Sequence, residues 1–290
     1  MSWRTVVITE RCKLDVNMGY MVIRSEETRR IFLDEIAILI IENTAVSLTG
    51  CLLSALVEKK IKVIFCDEKR SPLSELIPLY GSHDCSRKLR TQISWSKDTK
   101  GAVWTAIVSE KIRKQTELLE EYGRKEGAEL LKSYLGQIEF YDETNREGHA
   151  AKVYFNSLFG KEFSRSDDNA INAALNYGYS IILSAFNREI VASGYSTELG
   201  LFHSNTFNSF NFSCDLMEPF RVLVDRYVMA KAIKIFEKQE KHAMLTLLHS
   251  QVMIDNTRQT LLNAIKIYCR SIFEALNDID VSKIKFYKHI

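Results

Sequence analysis

Residues Leu199–Arg221, LGLFHSNTFNSFNFSCDLMEPFR, combine a histidine with two closely spaced carboxylates. Asp215 and Glu218 stand three positions apart, so both side chains project from one face if this segment is helical. Pro219 follows directly, and because proline is tolerated near a helix N-terminus and disruptive further in, we expect the helix to begin here. His203 lies in a preceding segment rich in Asn, Ser and Phe, which predicts a loop.

These three side chains are suitable ligands for a divalent cation, provided that a further acidic group comes from elsewhere in the chain. Glu147, in NREGHAA, is the best candidate for that group. Each residue also has an ordinary structural explanation. Glu147 fits the last position of a capping box that begins at Thr144. Asp215 fits a helix cap, His203 a hydrogen-bonded, partly buried histidine, and Glu218 a solvated acid in a first helical turn.

The composition is that of a soluble globular protein with long helices and one or two domains. The 290 residues are 46% hydrophobic and 26% charged, with only 3 Pro. The most apolar stretch, EIAILII at residues 35–41, is too short to span a membrane and predicts a buried strand. The first residues lack the apolar core of a signal peptide. Six cysteines without a CxxC pair predict reduced thiols and a cytoplasmic location.

The chain changes character near Gly81, which predicts an α+β fold with two domains. Residues 1–81 are rich in Val, Ile and aromatic residues in short runs, which predicts a small β-rich domain with one helix at residues 49–60. Residues 82–290 have helical periodicity, with helices continuing from Pro219 to about Asn277, and predict a large all-α domain. The five predicted strands are TVVITE, YMVIRS, RRIFL, IAILII and IKVIFC.

The charges are distributed unevenly although the net charge is only +2. Residues 134–220 carry 5 basic and 11 acidic side chains. The flanking segments are basic, with 11 against 8 in residues 82–133 and 12 against 7 in residues 221–290. Carboxylates for a metal ion between basic arms for phosphates would suit a protein that binds a polyanion. Fluctuation of this size is also common on ordinary protein surfaces.

Three segments carry a resemblance to a known family. NREGHAAKVYFNSLFG (residues 145–160), NAALNYGYSIILSAFNREIVASGYSTELGLFHS (residues 172–204) and DLMEPFR (residues 215–221) closely resemble the CRISPR-associated adaptation integrase, the first of the numbered core CRISPR proteins. The resemblance runs through the whole chain and includes its β-then-α order. The sequences of these segments, together with AVWTAI upstream, are most similar to those of the type II-A branch.

The resemblance implies a metal-dependent catalytic role for residues 82–290 and a dimerisation role for residues 1–81. It places the metal ligands on Glu147, His203 and Glu218, with Asp215 as a further acid beside the metal. Arg221 falls where the family often has a basic residue near the reacting phosphate. Carboxylates favour the hard cations Mg²⁺ or Mn²⁺, and the single histidine favours Mn²⁺.

The same resemblance implies the partners. The family acts as a homodimer, and two dimers clamp a small ferredoxin-like dimer, the second CRISPR-associated adaptation protein. This complex captures a short double-stranded DNA and inserts it into the CRISPR array, which implies no membrane association. In type II-A systems a ring-forming accessory protein and the effector nuclease also take part.

Two other functions stay open at this stage. One is a free-standing metal-dependent DNA nuclease, in which water replaces the DNA 3′-hydroxyl at the same ion. The other is a non-catalytic helical DNA-binding module, in which the acidic residues are helix caps and surface charge. A branched-DNA assay with and without Mn²⁺ separates the three, because an integrase joins strands, a nuclease only cuts them and a binding module only retains them.

The basic segments at residues 82–133 and 221–290 generate a binding prediction. If their Lys and Arg side chains contact phosphates, duplex affinity should depend little on sequence and fall steeply as salt rises. Measuring the dissociation constant for two unrelated duplexes across a salt series tests this. An affinity that is flat with salt would contradict phosphate contacts by these segments.

Overall fold

The structure, a computed structural model, describes residues 4–79 and 81–290. The chain divides into two compact units. The first consists of the residues up to Cys85 together with Val191–Gly194, and the second of Ser86–Ile190 and Tyr195–Ile290. Strands dominate the first unit and helices the second, which confirms the predicted α+β fold.

The strands of the first unit form two four-stranded sheets. The first has the order β1-β5-β7-β8, and the second has the order β4-β3-β2-β6. The elements are β1 (Arg4–Ile8), β2 (Lys13–Asn17), β3 (Tyr20–Arg24), β4 (Thr28–Phe32), β5 (Ile36–Ile41), β6 (Ser47–Leu48), α1 (Gly50–Glu58), β7 (Lys62–Cys66) and β8 (Pro72–Leu76), with a 3₁₀ turn at Leu33–Glu35.

Strand β5 is the centre of the first sheet. It lies parallel to β1 on one side and to β7 on the other, and all six of its residues are buried. Strands covered on both faces have continuous apolar sequences, which is why IAILII shows no alternation. Helix α1 begins at Thr49, whose hydroxyl accepts the N–H of Leu52 at 3.3 Å. Its Leu52 and Leu56 are fully buried in the same core cluster.

Three strands of this unit were not predicted. Strands β2 and β8 contain charged residues, and β6 has only two residues. Strand β2 pairs with β3 in register from Lys13 opposite Arg24 to Asn17 opposite Tyr20. The Asp15 carboxylate there accepts a hydrogen bond from Arg24 Nε at 2.6 Å. Cross-strand pairing of this kind stabilises a strand whose own sequence is a weak signal.

The second part of the chain is built mainly from helices. They are α2 (Cys85–Ser94), α3 (Lys97–Glu121), α4 (Lys125–Leu135), α5 (Arg146–Phe159), α6 (Ala170–Ala192), α7 (Asn211–Met217), α8 (Arg221–Lys231), α9 (Lys238–Leu245) and α10 (Leu261–Asp278), with 3₁₀ turns at Phe140–Asp142, Glu218–Phe220, Thr246–His249 and Val281–Lys283. No helix of the described residues is both long and apolar enough to cross a membrane.

Helix α3 is the axis of the helical unit. It begins at Ser96, whose hydroxyl accepts the N–H of Thr99 at 3.0 Å. It packs against α4, α5, α8 and α10. Such an environment buries most of its surface, including Trp104, Leu118 and Leu119, which have no exposed area. Charged residues on this helix are therefore placed inside the unit as well as on its surface.

The prediction of continuous helices from Pro219 to about Asn277 was wrong in one place. Strands β9 (Gln251–Ile254) and β10 (Thr257–Thr260) form an antiparallel hairpin before α10. The two residues between them, Asp255 and Asn256, both have positive φ, at 51° and 57°. Two-residue hairpin turns of type I′ need this conformation, which Asp and Asn tolerate better than other side chains.

Candidate active site

Glu147 lies in the first turn of α5, and the start of that helix differs from the predicted capping box. The Asp142 carboxylate accepts the N–H of Arg146 at 2.8 Å and the N–H of Glu147 at 3.0 Å. Asp142 therefore satisfies the free amides that Thr144 was expected to serve. The Glu147 carboxylate is turned elsewhere and accepts a hydrogen bond from Lys111. The capping-box interpretation of Glu147 was wrong.

The segment before α5 has an unusual backbone. Tyr141, Asp142 and Asn145 all have positive φ, at 64°, 55° and 52°. Left-handed residues other than glycine store strain and persist only where other contacts hold them. The Tyr141 hydroxyl donates to the carbonyl of Leu201 at 2.5 Å, and its N–H donates to the Thr105 hydroxyl at 2.9 Å. This segment is thus tied both to α3 and to the loop that carries His203.

Asp215 holds that loop in place. It lies in the middle of α7 with no exposed area, so the helix-cap interpretation was wrong. Its carboxylate accepts the N–H groups of Leu201 at 2.6 Å, Phe202 at 3.0 Å and His203 at 3.2 Å. Gly200 makes this approach feasible, because an added Cβ would lie 2.3 Å from the His203 carbonyl oxygen and 2.7 Å from Asp215 Oδ2.

Asp215 also orients the imidazole of His203. Its Oδ1 lies 2.5 Å from His203 Nδ1, and since a carboxylate can only accept, Nδ1 carries the proton. The other nitrogen, Nε2, is left as the one that can bind a metal. The hydrogen bond to Asp215 raises the pKa of His203 against the opposing effect of burial. The Trp104 ring packs edge-on against the imidazole, with a centroid distance of 5.7 Å.

Glu218 sits in the 3₁₀ turn between α7 and α8. The helix begins at Asn211, several residues before Pro219, so the expected helix start at Asp215–Pro219 was wrong. The turn is fixed by Tyr287, whose hydroxyl donates to the Pro219 carbonyl at 3.1 Å. The Phe220 ring packs on Tyr287 at 4.7 Å between centroids. The Glu218 carboxylate therefore has a fixed position in the interior.

Two cations surround the Glu218 carboxylate. Arg221 Nε donates to its Oε1 at 2.9 Å, and Lys111 Nζ donates to its Oε2 at 2.5 Å. Burial would by itself raise the pKa of Glu218, but Arg221 and Lys111 outweigh it and lower the pKa to about 2. The same ammonium donates to Glu147. Two carboxylates from different elements thus meet at one positive charge.

Lys111 was missed by the sequence analysis. It lies in SEKIRKQTELLEE, a run of alternating charges that is typical of a solvated helix face. The signal was its position, since Lys111 follows Trp104 by seven residues and Val108 by three, and both are fully buried. A lysine on the apolar stripe of a helix is placed inside the protein, where it needs carboxylate partners.

The predicted residues gather in the helical unit. Arg221 contacts Glu218 directly, and Asp215 contacts His203 directly. As they stand, however, no three His, Cys, Asp or Glu side chains within residues 4–79 and 81–290 are spaced to hold a metal ion. The donor types fit a hard divalent cation, and the Lys111 ammonium is the cation on which both glutamates converge.

The buried carboxylate of Asp225 acts on the site indirectly, through Tyr179 and Arg221. Asp225 accepts hydrogen bonds from the hydroxyls of Tyr154, at 2.8 Å, and Tyr179. The Arg221 guanidinium lies over the Tyr179 ring, 4.8 Å from its centroid. Burial raises the pKa of Asp225 to about 6, although both tyrosine hydrogen bonds act in the opposite direction. Asp225 thus fixes the aromatic ring on which Arg221 rests.

Comparisons with known proteins agree with the sequence resemblance. A family model described as "CRISPR associated protein Cas1" matches residues 5–266. The CRISPR-associated endonuclease Cas1 of Neisseria meningitidis serogroup C (strain 8013) is 33% identical, over 98% of this chain and 96% of its own length. The CRISPR-associated endonuclease Cas1 1 of Francisella tularensis subsp. novicida (strain U112) is 23% identical, over 86% of this chain and 83% of its own length.

Solved structures share the fold at low sequence identity. A Cas1 protein from Thermotoga maritima has a TM-score of 0.76 at 16% identity, covering 94% of this chain and 97% of that one. A casposase bound to an integration product has a TM-score of 0.78 at 17% identity, covering 98% of this chain and 94% of that one. A Cas6-RT-Cas1–Cas2 complex has a TM-score of 0.77 at 16% identity, covering 99% of this chain and 36% of that one.

The family model and the curated relatives define an enzyme of the CRISPR-associated endonuclease class. Since the family model and the Neisseria relative both span most of the sequence, the assignment can be narrower: the chain belongs to the Cas1 family of CRISPR-associated endonucleases. The family resemblance seen in the sequence is confirmed. The type II-A branch stays a prediction.

The raised pKa of Asp225 generates a stability prediction. Between the unperturbed pKa of 3.8 and about 6, the folded state keeps a proton on Asp225 that the unfolded state has lost, so this group destabilises the fold as pH rises. Asp225→Asn removes that contribution. Relative to wild type, the variant should gain on the order of 1–3 kcal/mol in unfolding free energy between pH 4 and pH 7.

Urea denaturation of both proteins at pH 4, 5, 6 and 7 measures this difference. Asp255→Asn is a suitable control, because Asp255 is exposed in the hairpin turn. Parallel pH curves for wild type and Asp225→Asn would show that Asp225 is ionised throughout this range.

Proposed function

We propose that this protein joins the 3′-hydroxyl ends of a captured DNA duplex to phosphodiesters of the CRISPR array. Glu147, His203 and Glu218 would hold the Mg²⁺ or Mn²⁺ ion that this reaction needs. The observation that carries the proposal is the convergence of the two glutamates on one cation while Asp215 fixes the imidazole of His203. Joining strands in this way needs no covalent enzyme intermediate, so precise placement and charge compensation are sufficient.

An ion held there would supply Lewis-acid activation and charge neutralisation at the reacting phosphate. The chain's own residues supply the rest. Asp215 keeps the proton on Nδ1 of His203 and thereby presents Nε2 as a ligand. Arg221 holds one oxygen of Glu218 and adds positive charge beside the phosphate. The Tyr179 ring under Arg221 limits the directions in which the guanidinium can point.

An open cavity beside His203 suits a nucleic-acid strand. Its volume is about 730 Å³, and it is lined by Tyr141, Lys97, Lys100 and residues of the loop 198–211. Lysine ammonium groups and the Asn and Ser side chains of this loop are donors for phosphate oxygens. The Lys97 ammonium lies 5.7 Å from the centroid of the Tyr141 ring, on the wall of the cavity. Contacts of this type position a strand and carry little sequence information.

The proposed partners come from the family. One solved relative is part of a complex with Cas2, and another was captured with an integration product. We extend this to the present chain as a homodimer that pairs through its β-rich unit, binds the second, ferredoxin-like adaptation protein and acts on double-stranded DNA in the cytoplasm. An accessory ring protein and the effector nuclease are further proposed partners if the type II-A assignment holds.

Hydrolysis is the second candidate activity. The relatives are named endonucleases, and water could replace the 3′-hydroxyl at the same ion. Incubating a branched DNA and a duplex with a free 3′-hydroxyl, with and without Mn²⁺, distinguishes the two reactions. Joined products support the integrase, and fragments without joined products support the nuclease.

Glu147→Gln and His203→Ala test the proposed ligands. Both variants should lose DNA joining almost completely, because each removes one ligand of the ion. Both side chains are partly exposed, so the unfolding free energy should stay within about 1–2 kcal/mol of wild type. Joining assays and thermal denaturation measure the two effects.

Glu143→Gln is a matched control for Glu147→Gln. It makes the same chemical change four residues earlier, on an exposed side chain. Its joining activity should equal that of wild type. Normal joining by Glu147→Gln would remove Glu147 from the site.

Glu218→Gln and Asp215→Asn separate a metal ligand from its support. Glu218→Gln should abolish joining. Asp215→Asn should lower the rate by roughly 10–100-fold, since Asp215 acts on the ion through His203. Its amide also faces donors that the carboxylate accepted, which should lower stability by about 1–3 kcal/mol.

A Mn²⁺ titration distinguishes the two variants. A higher Mn²⁺ concentration should partly restore the joining rate of Asp215→Asn, because more ion compensates for a weakened affinity. It should do little for the joining rate of Glu218→Gln. The opposite order of severity would make Asp215 the direct ligand and Glu218 its support.

A further inference from the structure

The Lys111 ammonium lies between the two glutamates that are proposed as metal ligands. It is 6% exposed in the middle of α3, and its ammonium donates to both Glu147 and Glu218. A buried ammonium is tolerated only when carboxylates compensate it, and here two of them do so.

The Lys111 ammonium and a divalent ion would compete for the same carboxylate oxygens. The oxygens that accept from Lys111 are the same carboxylates that would bind the ion. An ammonium and a divalent cation within a few ångströms repel each other strongly in a buried site. A lysine has a flexible four-carbon stem, so its ammonium can withdraw from the site while its Cα stays on the helix.

We propose that Lys111 is a built-in competitor of the metal ion, a counter-cation that holds Glu147 and Glu218 together in the metal-free protein and withdraws when the ion binds. The inference rests on the proposed function, since it assumes that these glutamates are ligands. It gives Lys111 a positioning role with two effects. The lysine keeps the unloaded site assembled, and it lowers the affinity for the ion that replaces it.

Lys111→Met tests both effects without any activity assay. Methionine keeps an unbranched side chain of similar length and removes the charge. In the absence of metal the variant should be less stable than wild type, because Glu147 and Glu218 lose their shared cation and repel each other. Its affinity for Mn²⁺ should rise by about tenfold or more, because the competing charge is gone. Calorimetric titration measures the affinity for Mn²⁺. Melting temperatures with and without Mn²⁺ measure the stability of the metal-free protein and the stabilisation by the ion.

Lys114→Met is the matched control. Lys114 is three residues further along the same helix, is 4% exposed and also contacts carboxylates, namely Glu110 at 3.4 Å and Glu117 at 3.3 Å. Its replacement should lower stability and leave Mn²⁺ affinity unchanged. An equal gain in Mn²⁺ affinity in both variants would reduce the effect to a general loss of positive charge and overturn the proposal.

The outcomes separate this inference from the proposed function. If Glu218→Gln binds Mn²⁺ as tightly as wild type does, the ligand assignment itself fails. If wild type binds Mn²⁺ and Lys111→Met binds it equally or more weakly, only the competitor role fails. If Lys111→Met folds only when Mn²⁺ is present, the ion replaces the lost lysine charge, as proposed.

A crystal structure of the wild type with Mn²⁺ decides the question if Lys111→Met does not fold under any condition. The proposal expects the ammonium to be withdrawn from both Glu147 and Glu218. An ion bound to these glutamates with the ammonium still donating to both would overturn it.

Discussion

Two carboxylates and one ammonium form the interaction on which the helical unit depends. Glu147 comes from the start of α5, Glu218 from the turn between α7 and α8, and Lys111 from the middle of α3. Three separate elements therefore meet at one buried ion cluster. Removing the Lys111 ammonium would leave two neighbouring carboxylates with only Arg221 beside Glu218, and breaking a buried ion pair costs more than the pair contributes. The ion cluster therefore fixes the positions of Glu147 and Glu218 in the metal-free protein.

The position of His203, the other proposed ligand, is fixed in a different way. His203 is on an exposed loop, and its position is fixed by hydrogen bonds to the buried carboxylate of Asp215. That carboxylate gathers three consecutive backbone N–H groups, which gives the loop a defined shape without regular secondary structure. The site thus combines carboxylates fixed by a buried ion cluster with a histidine fixed by hydrogen bonds.

Much of this arrangement follows from the sequence, because its signals are local. Continuous apolar runs predict buried strands such as β5, and the family segments place Glu147, His203 and Glu218 in one motif set. The remainder depends on contacts between residues far apart in the chain. The local sequence around Lys111 is typical of an exposed helix face, and the carboxylates that pair with it lie more than thirty residues away in the chain. The hairpin at Gln251–Thr260 depends on the left-handed backbone of Asp255 and Asn256.

The segment from Tyr141 to Asn145 shows why the site could not be assembled from motifs alone. Its residues with positive φ make a bend that no standard signal predicts, since Tyr is disfavoured there. The bend has two consequences at once. The Asp142 carboxylate satisfies the first amides of α5 and so sets the direction of Glu147.

The bend at Tyr141–Asn145 also fixes the loop that carries His203. The Tyr141 hydroxyl holds the Leu201 carbonyl, two residues before the histidine. One strained segment therefore fixes the position of Glu147 relative to the loop that carries His203. Strain of about 1–3 kcal/mol per left-handed residue is a cost to the fold. It persists because relaxing the bend would release the helix start, the loop and the buried ion cluster together.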